Sequence, residues 1–205
     1  MIFATKSPHP AANNFFGAFG GYKNTTGSNN NFIGCCAGFN NTFGNDNNFF
    51  GRLSGLQNTT GNNNNFIGNQ AGRFNTTGAS NNFFGLYSGC CNTTGSYNTF
   101  IGRSAGRANT FGCYNTFIGR GAGSSNTTGS NNNFFGLNAG QANTTGNNNN
   151  FIGQCAGYSN TFGGCNNFFG RYAGYSNTTG IRNNFIGQNT GFNNTFGGYK
   201  IGRAH

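Results

Sequence analysis

The sequence predicts an all-β chain: a single parallel β-solenoid, in β-roll or β-helix form, of about eleven 17-residue coils with Gly corners and stacked Phe/Ile and Asn ladders. Three observations predict it. The composition is poor in helix formers, with 43 Asn, 38 Gly, 25 Phe and 22 Thr in 205 residues. Phe recurs every 17 residues, at Phe15, Phe32, Phe49, Phe66, Phe83, Phe100, Phe117, Phe134, Phe151, Phe168 and Phe185. Gly recurs at fixed offsets within that period, as Gly34, Gly38 and Gly44 show.

With the recurrent Phe as place 1, the consensus reads F-[FI]-G-x-x-A-G-x-x-N-T-[TF]-G-x-x-N-N. Place 2 runs Phe16, Ile33, Phe50, Ile67, Phe84, Ile101, Ile118, Phe135, Ile152, Phe169, Ile186. Place 6 is small: Ala in seven units, otherwise Gly20, Ser54, Ser88 or Thr190. Asn recurs at places 10 and 16, Thr at place 11, and place 17 is Asn except at Thr99 and Thr116. A short constant period without insertions is the mark of a solenoid, one unit per coil. Seventeen residues are too few for a helix pair and suit a β-coil. Gly at places 3, 7 and 13 is expected to supply positive-φ corners. Those corners divide the coil into strands at places 14 to 2 and 8 to 12 and a short third at 4 to 6. At the strand spacing of about 4.8 Å, eleven coils make a rod of roughly 50 Å.

In-register stacking puts like above like. The place-10 column, Asn24, Asn41, Asn58, Asn75, Asn92, Asn109, Asn126, Asn143, Asn160, Asn177 and Asn194, is expected to form an amide ladder. Places 1 and 2 are adjacent in one strand, so one column fills the interior and the other faces out. The Phe/Ile alternation at place 2 reads as large over small in a tight stack, which puts place 2 inside. The place-1 Phe would then form an outer stripe larger than monomers usually expose, and so a lateral contact.

The chain divides into a lead-in (1–12), the repeats (13–199) and a truncated last coil (200–205). The last coil fits the repeat if two residues are dropped, with Lys200 at the Phe place. No capping unit is apparent, and bare strand edges would let copies stack end to end.

The unit Asn98-Thr99-Phe100-Ile101-Gly102 … Ala105-Gly106 … Asn109-Thr110-Phe111-Gly112 resembles the N-T-A-[IL]-G-x-x-A … N-T-T-G repeats of bacterial surface and phage tail-fibre-like proteins. Those are similar to the β-roll heads of trimeric autotransporter adhesins. The resemblance covers residues 13 to 204. It implies an extracellular, fibrous, adhesive or receptor-binding role, often as a trimer. Phe stands at place 1 where that pattern has Ala, and no coiled-coil stalk, membrane anchor or chaperone domain is seen. The β-roll therefore carries over better than the trimer.

Chemistry is scarce. There is one Asp (Asp46), no Glu and two His, at the termini (His9 and His205). Paired-carboxylate catalysis and a carboxylate cation cage are excluded, so no enzyme activity, cofactor or metal is expected. Seven Cys include the adjacent pairs Cys35-Cys36 and Cys90-Cys91, with no zinc spacing. Net charge is +10, and Arg52, Arg103, Arg120 and Arg171 share place 4 while Arg73 and Arg107 share place 8. That stripe could hold anionic polysaccharide, although charge kept for solubility is the plainer reading. No specific nucleic-acid motif accompanies it. Asn-x-Thr sequons recur, including Asn24, Asn58, Asn75, Asn92, Asn126, Asn143 and Asn177. No signal peptide and no membrane span is visible, yet the repeat points outside the cell.

Three functions compete: a self-assembling filament subunit whose partner is itself, a glycan-binding adhesin-like module, and an ice-binding array on the Thr column from Thr25 to Thr195. Tyr87, Tyr97, Tyr114, Tyr158, Tyr172 and Tyr175 are the candidates for sugar stacking.

Overall fold

The computed structural model describes residues 12–203. It is a β-solenoid of 17-residue coils, and no helix occurs among the described residues. Twelve three-residue strands, from β1 (Asn14–Phe16) to β12 (Ile201–Arg203), form one parallel sheet in sequence order. The register is like on like, with Phe32 beside Phe49 and Asn31 beside Asn48. His9, His205 and most of the lead-in lie outside the described residues.

Each strand occupies places 17, 1 and 2, where Phe and Ile suit a pleated surface. Gly at place 3 ends it, with φ of 118 to 140°. The single strand per coil corrects the expectation of three. Left-handed conformations follow at places 5 and 7, with φ of 54 to 69° and 54 to 65°, and turn the chain before a second strand can start. The turns still bond coil to coil: Gly38 N–H donates to Ser54 O at 2.9 Å. Thr59 O accepts from the N–H groups of Thr42, Phe43 and Gly44 at 3.0 to 3.2 Å.

Place 13 is a second correction. Apart from Gly197 (φ 98°), its glycines have no positive φ. They are needed for space, since a Cβ on Gly112 would sit 2.3 Å from Gly129 O and 2.5 Å from Asn109 Oδ1.

The interior column is place 1, not place 2. Phe32 through Phe168 are fully buried at every coil, with Phe185 nearly so and Phe15 partly so. Place 1 is the middle residue of each strand and points at the opposite wall, where places 6 and 7 are small. A Cβ on Gly106 would lie 2.4 Å from the Phe100 ring, so Gly there makes room for it. Identical flat rings also stack in a coil of constant cross-section better than alternating Phe and Ile would. Successive rings lie 4.8 to 5.1 Å apart and within 12° of parallel, from Phe15–Phe32 to Phe168–Phe185.

The other half of the interior is polar. At place 10 each amide donates to the preceding coil's, Asn41 Nδ2 to Asn24 Oδ1 at 2.8 Å and Asn58 Nδ2 to Asn41 Oδ1 at 2.7 Å. The chain of bonds continues through Asn75, Asn92, Asn109, Asn126, Asn143, Asn160 and Asn177 to Asn194. The second N–H of each goes to the place-13 carbonyl of its own coil, as from Asn109 to Gly112 O at 3.0 Å. Place 16 closes on the same carbonyl from the coil before: Asn98 Nδ2 donates to Gly112 O at 2.8 Å. Its Oδ1 accepts the backbone N–H of the next place-16 Asn, as Asn98 does from Asn115 at 3.0 Å.

The last coil keeps the register without a deletion. Ile201 pairs with Asn184, Gly202 with Phe185 and Arg203 with Ile186. Lys200 therefore stands at place 16, where its N–H takes the ladder acceptor Asn183 Oδ1 at 3.1 Å. Its ammonium donates to Asn194 Oδ1 at 2.5 Å and so closes the open end of the place-10 ladder. Gly202 ends the ring stack.

Candidate binding surfaces

With places 1, 6, 7, 10, 13 and 16 buried in the regular coils, the surface is built from the remaining columns. The eleven place-1 Phe and the place-10 Asn are thus structural, and the Phe cannot form a lateral stripe. Place 2 takes that position. Phe16 is 59% exposed, Ile33 45% and Ile186 44%, and the column runs unbroken between them. Beside it lies place 17, a half-buried amide ladder bonded from Asn14 to Asn82 and from Asn133 to Asn167. These amides donate toward the C-terminal end and the place-10 amides toward the N-terminal end, so the two column dipoles oppose each other.

Places 4, 5, 8 and 9 make a second face. Neighbour contacts define it: Arg73 Nη1 at place 8 donates to Gln70 Oε1 at place 5 (2.9 Å), and Arg107 at place 8 lies over the Tyr87 ring at 5.8 Å. Arg52, Arg103, Arg120 and Arg171 all project from place 4 of this face and are exposed. Seven of the eleven basic residues, the six Arg at places 4 and 8 and Lys23, fall on it. Aromatic groups occupy both ends. Tyr22 stacks on Phe39 at 5.1 Å near one, and Tyr158, Tyr175 and Phe192 stack in sequence at 5.0 and 4.9 Å near the other. The consensus leaves places 4–5 and 8–9 unspecified, the pattern of an outer surface, and the turn geometry brings these places onto one face.

Between the aromatic ends is an open hollow of about 530 Å³ lined by Arg103, Arg107, Arg120, Cys91, Asn138 and Gln141 among others. It exists because Ser104, Gly121, Ser124 and Ser125 stand where other coils carry Tyr, Phe or Leu.

Of the candidate Tyr residues, Tyr97 and Tyr114 are elsewhere, stacked on each other at place 15 with centroids 4.9 Å apart. The Thr column is not a free hydroxyl array, since each hydroxyl donates to the next coil, as Thr76 Oγ1 does to Thr93 O at 3.0 Å. Phe43, Phe111 and Phe162 protrude beside it. The sequon residues Asn58, Asn75, Asn92, Asn126, Asn143 and Asn177 are fully buried with both amide N–H groups bonded, so the folded coil offers no acceptor there.

All seven cysteines are free thiols. Cys35 and Cys36 have sulfurs 3.6 Å apart. Burial, and then the hydrogen bond to Cys35, pushes the Cys36 thiol up. Cys90 sits in the place-8 column between Arg73 and Arg107, with Cys91 next to it at place 9. A hydrogen bond with Cys90, aided by the positive charge of Arg107 and Arg73 and opposed by burial, brings Cys91 down to about 6. The same bond, then burial, pushes Cys90 up, so the pair releases its first proton early and holds the second. No group of three or more His, Cys, Asp or Glu side chains fit to hold a metal ion occurs among the described residues, and no helix there is long and apolar enough to cross a membrane.

The chain matches no protein-family model, no characterised protein and no solved structure.

Proposed function

We propose that the chain is a non-enzymatic structural element, a β-solenoid subunit that associates with copies of itself in an extracellular filament or appendage. The observation that carries this reading is the place-2 column. It is a continuous Phe/Ile stripe along a rod of about 50 Å, well beyond the isolated apolar residues of an ordinary surface. Its alternation, Phe50, Ile67, Phe84, Ile101, sets half-buried Phe rungs between exposed Ile rungs. Two copies offset by one rung would seat Phe against Ile, with the regular amide column beside them, in the manner of a steric zipper.

Lateral association through that column is the leading component of the reading. Electron microscopy with light scattering across a concentration series tests it. Paired or bundled rods are expected, and Ile67→Thr with Ile101→Thr and Ile152→Thr should disperse them without lowering coil stability. A chain monomeric at every concentration would sink the reading.

A second reading, a glycan-binding module of the adhesin type, draws on one observation: the hollow on the face of places 4 to 9 breaks the repeat where basic and polar groups converge.

A further inference from the structure

The in-register coil imposes an electrostatic conflict at the hollow. Arg103 and Arg120 occupy place 4 of successive coils, one rung apart. Like charges held one rung apart in register repel, as they do when opposed on neighbouring strands. Elsewhere the cations on this face are engaged or stand alone in their column, as Arg52 does with neutral Cys35 and Asn69 on the adjoining rungs. Arg73 bonds Gln70 and lies over Phe74, Arg171 lies over Tyr172, and, off this face, Arg182 bonds and stacks on Tyr199. The Arg103 and Arg120 guanidiniums have no hydrogen-bond or ring partner among the described residues. The one carboxylate side chain, Asp46, is at place 15 and accepts from Asn29 at 3.0 Å, and the acidic Cys91 thiol on the same lining is held down by its hydrogen bond with Cys90 and by Arg107 and Arg73, not by Arg103 or Arg120. The same lining holds a third cation, Arg107, and the neutral donors Ser124, Asn138 and Gln141. Three guanidiniums and short donors around one concavity match the several acceptor oxygens of a tetrahedral anion.

We propose that this hollow binds a phosphate or sulfate group, free or as an ester on an anionic polysaccharide, bridged by Arg103, Arg120 and Arg107. The anion relieves the repulsion between the stacked guanidiniums, so binding is coupled to the coil repeat itself. The free-anion form stands independently of the glycan-binding reading; the ester form rests on it.

The test is calorimetric titration of the full chain with inorganic phosphate, sodium sulfate, dextran sulfate and neutral dextran. The paired variant Arg103→Gln/Arg120→Gln is compared with Arg52→Gln/Arg171→Gln, which removes the same charge from the same column outside the hollow. The expected result is that the first pair weakens anion binding about tenfold or more, the worth of one or two charge-assisted hydrogen bonds, while the second changes it less than about twofold. Binding of phosphate or sulfate alone supports a free-anion site. Binding of dextran sulfate alone, with the same selective loss, supports the ester source. Saturation by inorganic anions with no response to dextran sulfate removes the glycan-binding reading and leaves the anion site standing. Equal losses in the two variants would reduce the effect to diffuse charge and overturn the proposal, as would failure of every anion to bind. All four arginines are exposed, so both variants should fold, and unchanged far-UV circular dichroism checks it.

Discussion

The coil interior has two halves, and they are held by different forces. On one side, rings at place 1 stack over small residues at places 6 and 7, as Phe100 does over Phe117 at 4.8 Å beside Ala105 and Ala122. On the other, Asn109 gives both N–H groups and accepts one in return, to and from Asn92, Gly112 and Asn126. Both halves are fully buried. The ring half gains from removal of apolar area and from offset stacking of about 0.5–1.5 kcal/mol per pair, and needs no particular direction. The amide half gains little net from each bond but loses about 1–3 kcal/mol for each one left unmade. A short coil with a narrow lumen can be filled either way. The apolar half sets how tightly the rod packs, and the polar half sets its register.

The sharpest break should come at the amide half's backbone. Gly112 has ordinary φ, so Ala is barred there only by space, yet its Cβ would meet Gly129 O at 2.3 Å and the Asn109 amide at 2.5 Å. Neither can withdraw without parting two coils. Gly112→Ala should cost more than about 4 kcal/mol in urea unfolding, outside the usual range for one methyl group. Next comes a direct contrast between the halves. Asn109→Leu keeps the γ-branched shape of Asn, with bulkier methyl groups, but strands Asn92 Oδ1 and one Asn126 N–H, and should cost about 3–5 kcal/mol. Phe117→Leu keeps the apolar character and loses ring contacts, and should cost about 1–2 kcal/mol. Equal midpoints for the two variants would mean that the amide column acts by shape alone.

How much of this was legible in the sequence follows from the same contrast. Periodicity carried the solenoid, the rung spacing and the place-10 ladder, because identical residues must meet when coils stack. It could not decide between places 1 and 2, since two adjacent apolar columns look alike without the opposite wall. The decisive hint was the pairing of small place 6 with Gly at place 7, which leaves room for a ring at place 1. The left-handed turns at places 5 and 15 were missed because they use Cys36, Leu53, Tyr97 and Tyr114 rather than Gly. A signal was present all the same. Neither place ever holds Thr, abundant in the chain, or Ile, and β-branched residues are the ones excluded from such φ. The basic-aromatic face depended on those turns, so its columns could be judged outward but not neighbouring.

Titration offers a third way to sharpen the comparison. Neither interior half contains an ionisable group, so neither should respond to pH. Cys91, beside the ladder residue Asn92, is the exception at the rim. Its folded pKa is depressed to about 6 from 9.0. A depressed pKa contributes stability that is present near and above the unfolded value and lost as pH falls through about 6. Stability should therefore decline as pH falls from 9 toward 5, by an amount reduced by the half-exposed setting. Cys91→Ser should flatten that slope, while Asn109→Leu and Phe117→Leu should leave it unchanged. Alkylation of the native chain should follow an apparent pKa near 6 at Cys91, with Cys90 unreactive.

The smallest expected effect lies on the outer ladder, where the same chemistry meets water. Thr99 and Thr116 interrupt the place-17 amides between Asn82 and Asn133, and neither hydroxyl replaces the missing bonds. Thr99→Asn with Thr116→Asn would let Asn82 donate to residue 99, residue 99 to residue 116, and residue 116 to Asn133. Inside the coil such a repair would be large. At place 17 the amides are half-buried, so each new bond replaces one to water and is worth about 0.5 kcal/mol or less. Asn is also a weaker strand former than Thr. The double variant should gain no more than about 1 kcal/mol, read as a small rise in the urea midpoint at constant slope. A gain as large as the loss from Asn109→Leu would show that burial is not what separates the inner from the outer ladder, and that continuity of the amide chain matters wherever it runs.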